Sequence, residues 1–114
     1  MDNLRYQWSL FGDLDVYQLY SLLKMRQEVF VVEQKCLYLD VDGWDQQALH
    51  LLMYCEETLT GYLRIILPNS NENVLTIGRV LVAKLHRGRG YASKLVKEAV
   101  VRCQTFYPDT TVSL

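Results

Sequence analysis

Between Val74 and Cys103 the chain passes from a strand pattern to a helix pattern across a short basic glycine loop, and this junction constrains the fold more than any other feature. Val74 to Val82 is rich in β-branched residues and reads as a strand. Ala92, Leu95, Val96, Ala99, Val100 and Cys103 then recur at the spacing of an amphipathic helix, which Pro108 stops. The joint runs Val80-Leu81-Val82-Ala83-Lys84-Leu85-His86-Arg87-Gly88-Arg89-Gly90-Tyr91-Ala92-Ser93. A helix start normally carries a Ser, Thr, Asp or Asn cap and acids in its first turn. This one carries Arg87, Arg89 and Lys94 instead. A bound multivalent anion relieves both the uncapped N–H groups and the gathered cations. Gly88 and Gly90 permit positive φ and close approach of the backbone to a ligand. The strand before the loop and the cap-free helix after it favour anion binding over an exposed, water-capped turn with solvated arginines.

The phosphate motifs with other spacings do not fit. No G-x-x-x-x-G-K-[ST] run exists. Counted from Gly88 and Gly90, the third position of a dinucleotide fingerprint is Ser93 rather than Gly or Ala, outside a parallel βαβ unit. The formal net charge is −1 and the acids cluster in one loop, which argues against a nucleic-acid surface.

The rest of the chain supplies a layered α+β order. Tyr6 to Phe11 partly alternates as a strand, broken by Gly12 and Asp13. Asp15 with Gln18 resembles a capping box, and Val16, Leu19, Tyr20, Leu23 and Phe30, widened by Leu22 and Met25, predict a helix from about Asp15 to about Val31. Glu33 to Gln47, with Glu33, Asp40, Asp42 and Asp45, reads as a long ordered loop or short irregular helix. His50 to Cys55 and Gly61 to Leu67 form a hairpin pattern, and Pro68 to Asn73 is a turn that leads into Val74 to Val82 as the third strand of a meander. Thr110 to Leu114 begins another strand. The 114 residues suit one domain, 1–114, with one modest core.

The charged residues inside these elements are the other candidates. Arg64 and Arg79 fall in neighbouring meander strands and become cross-strand neighbours if the hairpin closes around Ser70 to Glu72. Glu33, Asp40, Asp42 and Asp45 are their partners, in a network that pins the acidic loop to the sheet. In the functional alternative, Arg64, Arg79, Asp42 and Tyr38 line a substrate pocket. Arg26 interrupts the first helix's apolar stripe and is expected to bury its stem against a carboxylate. As a general base Glu33 ranks first, with Asp42 and a strand-edge His50 behind it. Most of the tyrosines belong to the core or its rim.

The first ten residues carry Asp2 and Arg5 without a continuous apolar run, so a secretory leader is not expected, and no apolar run in the sequence reaches membrane length. Cys36, Cys55 and Cys103 make no C-x-x-C pair, so zinc and redox motifs are not expected and packing roles in a reducing cytoplasmic setting are.

Val82 to Ala92 resembles motif A of the GNAT N-acetyltransferases, Arg/Gln-x-x-Gly-x-Gly/Ala, standing here as Arg87-Gly88-Arg89-Gly90-Tyr91-Ala92. Arg26-Gln27-Glu28-Val29-Phe30-Val31-Val32-Glu33-Gln34, then Tyr38-x-Asp40-x-Asp42-Gly43, then Ile77-Gly78-Arg79-Val80 resemble the ElaA-like branch. The resemblance implies an α/β/α-type GNAT fold, a mixed, mainly antiparallel sheet flanked by helices. It implies acetyl-CoA as co-substrate, with the backbone of Val80, Leu81 and Val82 pairing with the pantetheine arm. Arg87, Gly88, Arg89, Gly90, Tyr91, Ala92 and Ser93 then hold the pyrophosphate. The implied reaction is direct acetyl transfer to a primary amine of a small-molecule or peptide acceptor, without metal, nucleic acid or membrane. The family fold normally continues with a helix and two strands that supply a tyrosine to protonate the leaving thiolate. This sequence stops at Leu114, so the expectation is a C-terminally shortened form or a homodimer that completes the fold. The alternative function is a coenzyme A-binding or dimerisation module with little catalysis.

Overall fold

The computed structural model describes residues 3–35 and 39–114. Five strands form one sheet in the order β1-β2-β3-β4-β5: Leu4–Leu10, Ala48–Cys55, Thr58–Ile66, Val74–Val82 and Thr111–Ser113. The first four pair antiparallel and β5 runs parallel to β4 at Val74–Thr76. Helix α1 (Val16–Arg26) covers one face and α2 (Tyr91–Phe106) the other. The sheet is therefore mixed and mainly antiparallel with a helix on each face, as expected. Among the described residues no helix is long and apolar enough to cross a membrane.

Local chemistry accounts for the elements. Asp15 caps α1: its carboxylate accepts from the Gln18 N–H at 2.8 Å, while the Gln18 side chain accepts from the Asp15 N–H at 3.1 Å. The period-two strands divide their side chains between two cores. Leu49, Leu51, Met53, Leu63 and Ile65 face α2, meeting Tyr91, Leu95, Ala99 and Cys103. Leu52, Tyr62 and Leu81 face α1, meeting Leu22 and Val29.

Several expectations are corrected. The first strand begins at Leu4 and ends at Leu10, and Phe11 already belongs to a short 3-10 turn. The first helix is α-helical only to Arg26. Gln27–Glu33 continues as a π-helical segment, with the Gln34 N–H donating to the Val29 carbonyl at 3.0 Å. Its apolar residues keep the helical stripe going, so the change of hydrogen-bond period is silent in the pattern. Arg64 does not face Arg79. It pairs with Gly78, in the register that runs from the turn through Ile66–Thr76 and Ile65–Ile77; the extra residue of β4, at Arg79–Val80 opposite Leu63, comes beyond this pair. His50 is not at a strand edge; it is buried in β2, between β1 and β3.

Sheet and α2 approach closely at Gly61. A Cβ there would lie 2.9 Å from Leu95 Cδ1 and 3.3 Å from Met53 Sδ. Gly61→Ala is expected to lower stability by about 1–3 kcal/mol through overpacking, read as a lower urea midpoint. Gly12→Ala, with nothing within 4 Å of the added methyl, serves as the near-neutral control.

Candidate active site

The end of β4, the basic loop and the start of α2 enclose one cavity of about 370 Å³. Its walls include Val80, Leu81 and Val82 from the strand, Arg87, Gly88 and Gly90 from the loop, and Tyr91, Ala92 and Ser93 from the helix. Nine of the ten residues assigned to cofactor binding thus line one space. The tenth, Arg89, does not line it. Val29 and Gln34, from the π-helical segment and its end, complete the wall. Neither was singled out as a site residue, since Val29 reads as part of a core stripe.

The loop has the form that anion binding needs. Gly88 and Gly90 take φ of +81° and +75°, and nothing lies within 4 Å of where either Cβ would stand. Gly90 is the N-cap of α2 and no side chain caps the helix. Its first N–H groups and the positive end of its dipole are therefore directed at the cavity mouth. The donor set and the open approach fit a pyrophosphate.

Arg87 is exposed but paired. Its Nε donates to the Val82 carbonyl at 3.0 Å, and its two terminal nitrogens grip Glu33 at 2.5 and 2.8 Å. The hydrogen bonds from Arg87 hold the Glu33 carboxyl below its ordinary range. Glu33 also lines a neighbouring cavity of about 600 Å³ between α1, the π-helical segment and Ala83–Lys84. The expectation that Glu33 would pair with Arg64 or Arg79 is therefore corrected: 54 positions separate it from its partner, and nothing in the intervening sequence signals the pairing.

The remaining acids meet the arginines as expected. Arg26, fully buried, donates to Asp40 Oδ2 at 2.9 Å, to Asp45 Oδ1 at 2.7 Å and to the Asp40 carbonyl at 2.6 Å. Arg64 donates to both Asp42 oxygens at 2.9 and 2.6 Å and to Asp45 Oδ1 at 2.9 Å. Arg79 donates to Asp40 Oδ1 at 2.9 Å, to the Asp40 carbonyl at 3.0 Å and to Asp42 Oδ2 at 3.1 Å. Arg64, Arg79 and Asp42 are thus brought together, in a network that ties the acidic loop to α1, β3 and β4. Tyr38 lies outside the described residues. His50 uses both ring nitrogens: Nε2 donates to the Asp45 carbonyl at 2.9 Å, which leaves Nδ1 to accept from the Tyr62 hydroxyl at 2.5 Å.

Residues 16–109 match the acetyltransferase (GNAT) family, and the chain belongs to that family, whose members transfer acyl groups from coenzyme A thioesters. Within it, the similarity in sequence and structure to ElaA places the chain on the ElaA-like branch. It is similar to UPF0039 protein sll0451 of Synechocystis, 37% identical over 112 residues, 97% of this chain and 73% of that protein. Among solved structures it is similar to an acyl-CoA N-acyltransferase from Pseudomonas aeruginosa (TM-score 0.89, 38% identity, 96% of this chain and 77% of that one). It is equally similar in fold to Escherichia coli ElaA (TM-score 0.89, 35% identity, 96% and 75%).

Burial and charge together set the response to pH. Burial pushes the His50 imidazole below its ordinary 6.5. Burial pushes Asp45 upward, but the hydrogen bonds from Arg26 and Arg64 outweigh it and leave the carboxyl below its ordinary 3.8. The hydrogen bonds from Arg64 likewise hold Asp42 well below the usual carboxylate range. In each case the unfolded chain binds the proton more readily than the folded one, so stability falls as pH falls. The melting temperature should therefore drop in two stages, one below pH about 6.5 and a second below about 3.8, as the unfolded His and Asp groups take up protons. His50→Gln should remove the first stage and leave the second; an unchanged profile would assign the first stage elsewhere.

Proposed function

We propose that the chain binds acetyl-CoA in the 370 Å³ cavity and transfers the acetyl group by direct attack of a primary amine. The observation that carries this reading is the shared cavity itself, in which the last strand residues adjoin an uncapped helix start. The backbone of Val80, Leu81 and Val82 serves the pantetheine arm, and the N–H groups from Gly88 to Ser93 serve the pyrophosphate. A backbone N–H near Val82 polarises the thioester carbonyl, a contribution of about 3 kcal/mol for one well-placed donor. Holding amine and thioester together supplies much of the remaining acceleration. The free cysteines Cys55 and Cys103 take no part, since direct attack needs no covalent enzyme intermediate.

Arg87 joins the pyrophosphate site by exchange. An exposed ion pair is weak, and a phosphate carries more charge than the Glu33 carboxylate it would replace. Binding transfers the guanidinium from carboxylate to phosphate and releases Glu33, which then stands as a base or as an anchor for the protonated amine. The acceptor is a small-molecule or peptide amine. Reduced cysteines support a cytoplasmic setting. Exposed β5 at the sheet margin supports a homodimer, since an open edge favours pairing with a second chain.

One observation favours a second reading, a coenzyme A-binding module without turnover. Glu33, Asp42 and His50, the residues ranked as bases, are each committed to a partner. Amine-dependent release of coenzyme A thiol separates the readings: thiol release supports transfer, and its absence alongside binding supports the module. Calorimetric titration tests the site beneath both. Arg87→Ala should weaken acetyl-CoA binding by about tenfold or more, the loss of a charge-assisted contact. Glu33→Gln should tighten it by about two- to fivefold, by removing a weak competing ion pair. A looser Glu33→Gln complex would refute the exchange.

A further inference from the structure

The direction in which the cofactor cavity's strand wall faces is decided one residue before that wall begins. Leu75 and Ile77, at odd positions of β4, pack on the α2 side of the sheet. After Arg79 the parity is reversed: Val80 and Val82, at even positions, pack on the α2 side, and Leu81 packs on the α1 side. The pairing gives the cause. Gly78 faces Arg64 and Leu81 faces Tyr62, so Arg79 and Val80 together stand opposite Leu63. One extra residue turns over every side chain and backbone group that follows. Without the bulge, Val80, Leu81 and Val82 would present their opposite faces to the cavity.

The bulge sits on a residue that does not favour it locally. Arg79 has φ +53°, in the left-handed region that favours glycine. Its guanidinium is fixed from the acidic loop: Asp40 receives it at carboxylate and carbonyl, and Asp42 at one oxygen. Asp40 is itself anchored, because its other carboxylate oxygen and the same carbonyl accept from buried Arg26. Arg79 does not line the cofactor cavity. We infer that Arg79 is a positioning residue for the acyl-transfer site: gripped by Asp40 and Asp42, it maintains the bulge that aims the Val80–Val82 backbone at the thioester. The inference rests on the reading of that cavity as the acetyl-CoA site, and it gives the acidic loop a task other than contacting the acceptor.

Two substitutions at one position separate backbone from side chain. Arg79→Ala removes the ion pairs and keeps the left-handed penalty. Arg79→Gly removes the same ion pairs and relieves the penalty. Amide hydrogen exchange of the ligand-free protein reads the bulge at Leu81 and Val82, with Leu51 as reporter of global opening. In Arg79→Ala, exchange at Leu81 and Val82 should quicken by about tenfold relative to Leu51, the scale of a left-handed Cβ penalty. Arg79→Gly should fall between Arg79→Ala and the parent. Turnover should follow the same order, with the loss in kcat and little change in acceptor KM. Equal behaviour of the two variants would overturn the inference, as would a raised acceptor KM in both, the mark of direct substrate contact. If only Arg79→Gly folds, the inference stands; if neither folds, Arg79 merely holds the fold and the inference fails. A parent protein that binds no acetyl-CoA would refute the cofactor reading alone, since the exchange comparison needs no ligand.

Discussion

A charge-balanced cluster of Arg26, Arg64 and Arg79 with Asp40, Asp42 and Asp45 is the interaction on which the rest of the architecture depends. Each arginine comes from a different element, α1, β3 and β4, and every aspartate comes from the stretch between the π-helical segment and β2. A lone buried guanidinium is prohibitively costly, but matched charges with directed hydrogen bonds can be tolerated. The acidic stretch therefore has little freedom: only where it lies can three cations be matched. His50 joins the same structure through the Asp45 carbonyl and passes the constraint to Tyr62 in the α1-side core.

This cluster and the glycine loop are mechanically connected. The π-helical segment starts beside Arg26, at Gln27, and ends at Glu33, the residue that grips Arg87. Between them Val29 packs with Leu52, Tyr62 and Leu81 and also lines the cavity at the end of β4. π-helical turns recur at functional sites because they widen a helix and redirect its side chains. Here the wider turn carries the chain from the arginine cluster to the cavity rim. Arg87 is fastened at both ends of that rim, to the Val82 carbonyl and to Glu33.

Features whose causes are local were legible in the sequence. The α1 cap needs only Asp15 and Gln18, the α2 face needs only its own periodicity, and the bounds of β4 follow from a β-branched run between turn signals. The glycine loop was legible because its chemistry opposes the helix it starts. Features decided by distant partners were not. A left-handed Arg79 leaves no local mark, since its conformation depends on Asp40, 39 positions away. The end of α1 was overrun because Val29 and Phe30 keep a helical rhythm through the change to π hydrogen bonding. His50 looked like an edge residue because the neighbours that bury it lie in β1, β3 and the acidic stretch.

The ionic form of the cluster calls for an explanation beyond stability. Matched buried ions are often no more stabilising than well-packed apolar residues of the same volume, and Asp45 Oδ2 and Arg64 Nε are buried without a hydrogen-bond partner. Apolar packing could press the acidic stretch against the sheet. It could not easily choose between a regular β4 and a bulged one, because burial is non-directional and both strands bury similar side chains. A guanidinium fork does choose, since its hydrogen bonds to Asp40 and Asp42 are made only when Arg79 leaves the strand in one direction. The charges are thus spent on geometry, and the geometry they fix is that of Val80, Leu81 and Val82, the three strand residues that line the cavity.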